Sequence, residues 1–457
     1  MSCTVIGLGI SNRPLIEFLL SHGACVSARD GKTREALGAY ADEMEARGVR
    51  LYTGKSYLDG ICEELIFRTP GVRPDLPEIA SAVERGSILT SEMELFFALT
   101  PARIIAVTGS DGKTTTTTLT HLLLSAGMER RGGKVYVGGN IGEPLLPRVE
   151  QMTDRDIAVV ELSSFQLMTM QKSAHVAAIT NLSPNHLNWH TDMAEYVSAK
   201  INIYNHLDNM RAVFNVDNAE SLPLIHKYGK NKTLFSSTRR EYSAFAPLLK
   251  RGDRAVYERE GVIYLSDGEC ERAMLQISDI LLPGRHNLEN YMTAIALTDG
   301  LVTVDEIRTV ATTFHGVEHR LERVRTVDGV TYYNSSIDSS PSRTAAALSA
   351  LAEKPIVICG GCDKGIPFDG LALTLSSRAK AIVLTGQTAE VIEKELVAAD
   401  CPVPIYRTPL FDDAVRLARD VARVGDTVLL SPACTSFDAF ANFMERGNRF
   451  KDIVNRF

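Results

Sequence analysis

Between residues 108 and 114 the chain reads Thr-Gly-Ser-Asp-Gly-Lys-Thr, with the apolar run "RIIAV" before it and "TLTHLLLSAG" soon after. Two glycines, a lysine and a hydroxyl at this spacing suit a phosphate. A glycine turn at a helix N-terminus aims several backbone N–H groups at one point, the helix dipole adds positive potential, and Lys113 reaches the outer phosphates. The Thr114 hydroxyl is placed to ligate Mg²⁺. Val107 stands where the full GxxxxGK[ST] pattern has its first glycine, yet GxxGKT supplies the same parts. A plain turn with a helix cap is the competing reading. The flanking strand and helix favour a nucleotide held by Gly109, Asp111, Gly112, Lys113, Thr114 and Thr115.

Glu161 closes the apolar run of "DIAVVELSSFQL". A carboxylate there is costly without a partner, and beside a phosphate loop it holds Mg²⁺ directly or through water. The alternatives are an N-cap or a surface glutamate. His186 and His190 are four apart and could face one metal, but no HExxH pattern accompanies them, so zinc is not indicated. Cys359 and Cys362 have CxxC spacing. No second CxxC exists to complete a zinc site, and the two intervening glycines read as a strand-to-turn transition.

These residues need elements to hold them. "CTVIGLGIS", "RIIAVTGSDG", "DIAVVELSS", "AAITNLS", "KPIVICGG", "AKAIVLTG" and "DTVLLSPA" are short apolar runs that end in glycine or small polar residues. Buried parallel strands read this way, with the functional loop at the carboxyl end. The expected class is α/β, doubly wound. "TPGVRPDLP" (69–77) and the stretch near "HGVEHRLERV" look like seams, and "EGVIYLSDGEC" predicts a hairpin around Asp267 and Gly268.

The totals bound the partners. At 457 residues, with 45% hydrophobic composition, the chain is long enough for about three domains. A net charge of −7 with no basic block argues against nucleic acid. No run is long enough to span a membrane, and eight scattered cysteines without a secretion signal suit a reduced cytoplasm.

The segments "VTGSDGKTTTTTL", "GGNIGEPLL", "ELSSFQL", "ITNLSPNHLNWH", "YVSAKINIY", "LPGRHNLENYMTAIA", "HGVEHRLE", "YYNSSIDSSPSRT", "GGCDKG" and "LSPACTSFDAFANFMERGNRF" follow one another in the order seen in Mur ligases. The chain resembles that family over nearly its whole length, in detail its D-glutamate-adding branch. The resemblance implies two Rossmann-like domains flanking a central P-loop ATPase domain with a mainly parallel sheet. Residues 1–95 would bind a UDP-sugar, 96–316 ATP, and 317–457 the amino acid. It implies a cytoplasmic, monomeric enzyme using ATP and Mg²⁺. The reaction it implies is that ATP would phosphorylate the alanyl carboxylate of UDP-N-acetylmuramoyl-L-alanine and the D-glutamate amine would attack the acyl phosphate.

Position by position, Lys113 matches the phosphate lysine, and Thr114 and Glu161 match the metal ligands. His186 matches the histidine near the second metal and the reacting carboxylate. Lys200 falls where the family carries a carbamylated lysine; on residues alone it is a helix lysine. Asn287, Asn290 and Arg320 match nucleotide contacts. Ser11 in the Gly7–Ser11 turn, Asp30, Thr69, Gly71 and Asn140 match the UDP-sugar side. Lys364, Ser436 and Phe443 match the amino-acid pocket. Phe437, Phe440 and Phe443 also have helical spacing, which for Phe440 favours core packing.

Three departures stand out. Asn334-Ser335-Ser336 replaces Asn-Asp-Ser, with Asp338 nearby; Ile337 stands where lysine is common, and Asn185 where aspartate is common. Two other readings stay open. One is a Mur-type ligase that adds another amino acid or acts on another carboxylate, as folylpolyglutamate synthases do. The other is a nucleotide-binding paralogue without catalysis.

Overall fold

The computed structural model describes residues 1–457 except Ile10, Asn188, 205–210, 229–230, Pro283 and 364–366. Contacts divide the chain into two compact units, Met1–Thr313 and Phe314–Phe457. Among the described residues the strands form three sheets, two in the first unit and one in the second.

The N-terminal sheet is parallel throughout, in the order Arg50–Thr53, Cys25–Asp30, Ser2–Ile6, Leu65–Arg68, Ile88–Thr90. Chain order thus reverses beside the first strand, and α/β sheets bind ligands at such a reversal. All seven predicted apolar runs became strands, one in this sheet, three in the central sheet and three in the sheet of the second unit.

The central sheet runs Glu271–Gln276, Val262–Ser266, Arg254–Arg259, Lys232–Ser236, Arg211–Asn215, Val176–Ile179, Arg103–Thr108, Ile157–Glu161, Val135–Gly139. Only the first two pairings are antiparallel, and the hairpin predicted at Asp267-Gly268 joins the first pair. Helix Lys113–Ala126 packs against Arg285–Thr298 and on the sheet through Leu119, Leu123 and Leu124. Burying each of these leucines contributes about 1.5–3 kcal/mol.

The threonine run is accommodated because it faces inward. Thr116, Thr117 and Thr120 are buried. The Thr120 hydroxyl donates back to Thr116 O at 2.7 Å, and that of Thr116 to Asn290 Oδ1 at 3.2 Å. Tertiary packing outweighs the few tenths of a kcal/mol that each β-branched residue costs in helix propensity.

The second unit carries the sheet Glu322–Val327, Val330–Asn334, Thr427–Leu430, Ile356–Cys359, Ala381–Leu384, Ile405–Arg407, parallel except at its first pair. Cys359 ends a strand, and Gly360 and Gly361 follow at φ 117° and 147°. The CxxC is therefore the strand-to-turn transition its glycines suggest. No described helix is long and apolar enough to cross a membrane.

Candidate active site

The phosphate loop leaves the strand Arg103–Thr108, an interior strand of the central sheet flanked by Val176–Ile179 and Ile157–Glu161. Gly109 and Gly112 have φ of 149° and 74°, and Gly112 is the left-handed N-cap of the following helix. A side chain at Gly109 would strike the Thr180 hydroxyl, and one at Gly112 the Asn290 carboxamide. The loop is clamped from the next strand: Ser110 N donates to Asn181 O, Asp111 N to Asn181 Oδ1, both at 2.9 Å, and Thr180 Oγ1 to Asp111 O at 2.6 Å. Lys113 Nζ bends back to donate to Ser110 O at 2.9 Å. Thr114 and Thr115 are half-buried on the first turn.

Glu161 sits one strand over, paired in register with Val107 on one side and Gly139 on the other. It is neither an N-cap nor exposed; Ser163 caps the next helix, with Gln166 completing the capping box. Asn140 Nδ2 donates to Glu161 Oε1 at 2.8 Å, while Oε2 is buried without a hydrogen-bond partner among the described residues. A buried anionic oxygen left this way suits a cation, so the residues present fit Mg²⁺.

Lys200, on helix Met193–Ile201, is 2% exposed and reaches Thr108 Oγ1 at 3.2 Å. Burial, and then the charge of Lys113, push its amine down to about 7. Thr108, at the loop's root, donates its hydroxyl hydrogen bond to the carbonyl of Leu162, the residue after Glu161, at 2.6 Å. The structure thus gathers Lys113, Glu161 and Lys200 at the carboxyl ends of neighbouring strands.

His186 and His190 do not work as a pair. Both nitrogens of His190 are engaged, Nδ1 with Glu195 Oε2 at 3.0 Å and Nε2 with Ser164 Oγ at 2.9 Å, and burial lowers its pKa. His186 is exposed, takes φ 55°, and sets its ring edge-on to Phe165 at 5.0 Å. Backbone strain of this kind in a non-glycine residue clusters at functional sites.

In the N-terminal sheet, Asp30 does not point free. Its carboxylate accepts Leu8 N at 2.8 Å and Lys32 N at 2.9 Å, holding the turn after the first strand. Thr69 packs on Gly7, where a Cβ would come within 2.6 Å of its methyl. Ser11 precedes helix Asn12–Ser21 without capping it through its side chain, and Ile10 of this turn lies outside the described residues. The Gly71 carbonyl accepts from Trp189 Nε1 at 3.1 Å.

Asn290 Nδ2 donates to Asn287 Oδ1 at 3.3 Å, so these two predicted contacts meet beside the phosphate loop. In the second unit Arg320 is half-buried, Ser436 is buried, and Phe443 opens helix Phe443–Val454 with its ring 5.9 Å from His319. Lys364 lies outside the described residues. The helical spacing read into Phe437, Phe440 and Phe443 is corrected: the helix begins at Phe443, and Phe437 is 69% exposed. Asn442 supplies the cap through Glu445 N at 2.9 Å, so the helix cannot extend back to Phe437. Phe440 does pack, against Phe411 at 5.1 Å.

Residues 107–298 match the Mur ligase middle domain, and 319–434 the Mur ligase glutamate ligase domain. The chain is 45% identical, over 99% of its length, to the UDP-N-acetylmuramoylalanine--D-glutamate ligase of Acetivibrio thermocellus, covering 95% of that protein. It is also 45% identical, over 99% of its length, to the enzyme of the same name from Clostridium novyi, covering 96%. The chain belongs to the Mur ligase family. Its fold is that of the UDP-N-acetylmuramate-alanine ligase from Thermotoga maritima, with TM-score 0.54 at 18% identity over 100% of this chain and 99% of that one. Escherichia coli FolC, in complex with DHPP and ADP, gives 0.53 at 16% over 80% and 93%.

This Mur ligase also holds functional groups that its motifs do not single out. Arg73 donates to Trp189 O at 2.7 Å and pairs with Glu195 at 2.9 Å, and it holds that carboxylate at about 2. Arg73, Glu195, His190 and Ser164 therefore form one chain of contacts that fixes the loop carrying His186. In the second unit, buried Arg446 donates to Ser336 Oγ, Ser336 O, Cys434 O and Thr435 O at 2.9–3.1 Å. It pins the residues just before Ser436. Both arginines were legible as types, but only pairing across more than 100 residues shows their purpose.

Proposed function

We propose that this chain joins D-glutamate to UDP-N-acetylmuramoyl-L-alanine with ATP, through an acyl phosphate, in cytoplasmic peptidoglycan precursor synthesis. Identity of 45% across 99% of the chain to D-glutamate ligases carries this reading. The domains are assigned as 1–95 for the UDP-sugar, 96–316 for ATP and 317–457 for the amino acid, and the enzyme as a monomer.

The loop amides from Gly109 to Gly112 and the Lys113 ammonium hold the terminal phosphates of ATP, and Asn287, Asn290 and Arg320 hold the rest of the nucleotide. Mg²⁺, when bound, neutralises charge on the transferring phosphoryl group. Thr114, Glu161, His186 and a carbamate on Lys200 would hold it. An alanyl carboxylate oxygen bonds to the γ-phosphorus as the bond to ADP breaks. The D-glutamate amine then bonds to the acyl carbon, loses a proton, and expels phosphate. Such chemistry asks the protein for alignment and charge stabilisation rather than covalent participation. Ser11, Asp30, Thr69, Gly71 and Asn140 orient the UDP-sugar, and Lys364, Ser436 and Phe443 the amino acid.

Phosphate release from Mg·ATP, measured with UDP-N-acetylmuramoyl-L-alanine and either D- or L-glutamate, tests the whole scheme. Release that needs both the UDP-sugar and the D isomer is expected. Release with neither isomer would move the substrate elsewhere.

A further inference from the structure

The edge of the central sheet opposite the phosphate loop carries a second charged site. Five neighbouring parallel strands start there, and each begins at or just after a basic residue: Arg254, Lys232, Arg211, His175 and Arg103 in sheet order. Parallel pairing brings all five starts to one edge, with roughly 4.8 Å between adjacent strands. Residues up to 151 positions apart in the chain thereby become neighbours. Together with Asn231 they line a polar cavity of about 220 Å³.

Among the described residues the charges here do not balance. Asp299 alone serves three guanidinium groups, Arg211 at 3.2 Å, Arg272 at 2.8 Å and Arg254. Lys232 is neutralised by buried Asp253 at 3.1 Å. Arg103 has no carboxylate partner among the described residues, and Asp267 acts on Arg254 only at longer range. Like charges are felt accordingly: after burial, Arg103 is the next influence lowering both His175 and Arg211, and Arg211 the next on Arg254. The His175 ring is fixed by accepting Ile104 N at Nδ1, 2.9 Å, which leaves Nε2–H as a donor.

The C-terminus of helix Arg285–Thr298 explains part of this, since cations favour that end of the dipole and Arg211 reaches Asp299 O at 3.4 Å. It does not explain Arg103 or the cavity. We propose that this edge binds a small multivalent oxyanion, a phosphate or a di- or tricarboxylate, at a site separate from the phosphate loop. The guanidinium groups supply forked donors, and the cavity is sized for such an ion rather than for a nucleotide.

The test is calorimetric titration of the full chain, with the phosphate loop saturated by a non-hydrolysable ATP analogue and Mg²⁺. Inorganic phosphate is the probe in one arm and citrate in the other. Saturable one-site binding of either is expected, weakened at least about tenfold in Arg103→Gln and unchanged in Lys113→Ala. Preference for phosphate or for citrate then tells the two sources apart. Arg103 is exposed and has no carboxylate partner among the described residues, so Arg103→Gln is expected to fold and keeps the test informative. Absence of saturable binding in both arms, loss in Lys113→Ala, or full retention in Arg103→Gln would each overturn the proposal.

Discussion

Asn140 spends its side-chain amide on one oxygen of Glu161, at 2.8 Å, and leaves the other oxygen buried and, among the described residues, unbonded. The contact holds the carboxylate in one orientation. Asn140→Ala frees the carboxylate to rotate. The Mg²⁺ concentration for half-maximal activity is expected to rise about 10–100-fold, as when partners of metal ligands are lost, with a smaller change at saturating Mg²⁺. A Mg²⁺ titration of turnover that matches the unsubstituted protein would remove Asn140 from this role.

Lys113→Ala should lower turnover by at least about 10³-fold, because a developing phosphoryl charge loses a preorganised partner. Lys113 is half-buried on the loop rather than in a core, so the far-UV circular dichroism and Tm should stay close to those of the parent. Parent-like turnover sinks the phosphate-loop assignment.

Burial pushes the Lys200 amine down to about 7, well below the ordinary 10.5. Between those values the unfolded chain binds more protons than the folded one, so Lys200 makes stability rise with pH there; below about 7 both states carry the proton. The neutral amine, the form that attacks CO₂ and then loses a proton to become a carbamate, is thus available near neutrality. Activity should fall in CO₂-depleted buffer, more steeply at pH 6 than at pH 8, and return with bicarbonate. Rates indifferent to CO₂ at both pH values would leave Lys200 as an uncarbamylated amine.

Asp338 is buried, accepts Ser431 Oγ at 2.8 Å, and is raised by burial despite the opposing charges of Arg343 and Arg320. It stands in for the aspartate replaced by Ser335 if it positions Arg320. Asp338→Asn should then raise the KM for ATP about three- to tenfold with kcat nearly kept. An unchanged KM dismisses that substitution of roles.

Arg446→Met removes a buried guanidinium that serves four acceptors in two loops. Leaving those acceptors unpaired should cost about 2–5 kcal/mol and lower the Tm, and the KM for the amino acid should rise in the folded fraction. Thermal melts alongside KM for D-glutamate separate the two effects.

How much of this was written in the sequence can be argued residue by residue. The loop Gly109–Thr114 was legible because local geometry suffices: a strand, two positive-φ glycines and a helix N-terminus are all nearest-neighbour matters. Glu161 was legible because a charge ending an apolar strand has few affordable explanations. The apolar runs became strands for the same reason, since burial on both faces leaves no period to misread. The false helix through Phe437 shows the limit: three aromatics at helical spacing carry no cap, and Asn442 starts the helix later. Lys200 is an ordinary helix lysine until the fold buries it beside Thr108 and Lys113. Likewise Arg103, Arg211 and Arg254 are unremarked strand starters until parallel pairing sets them on one edge around a shared Asp299. Sequence alone determined which residues could do chemistry, because residue type and local turn geometry are short-range. Only the tertiary structure decided which of them meet, because burial and charge balance depend on neighbours far away in the chain.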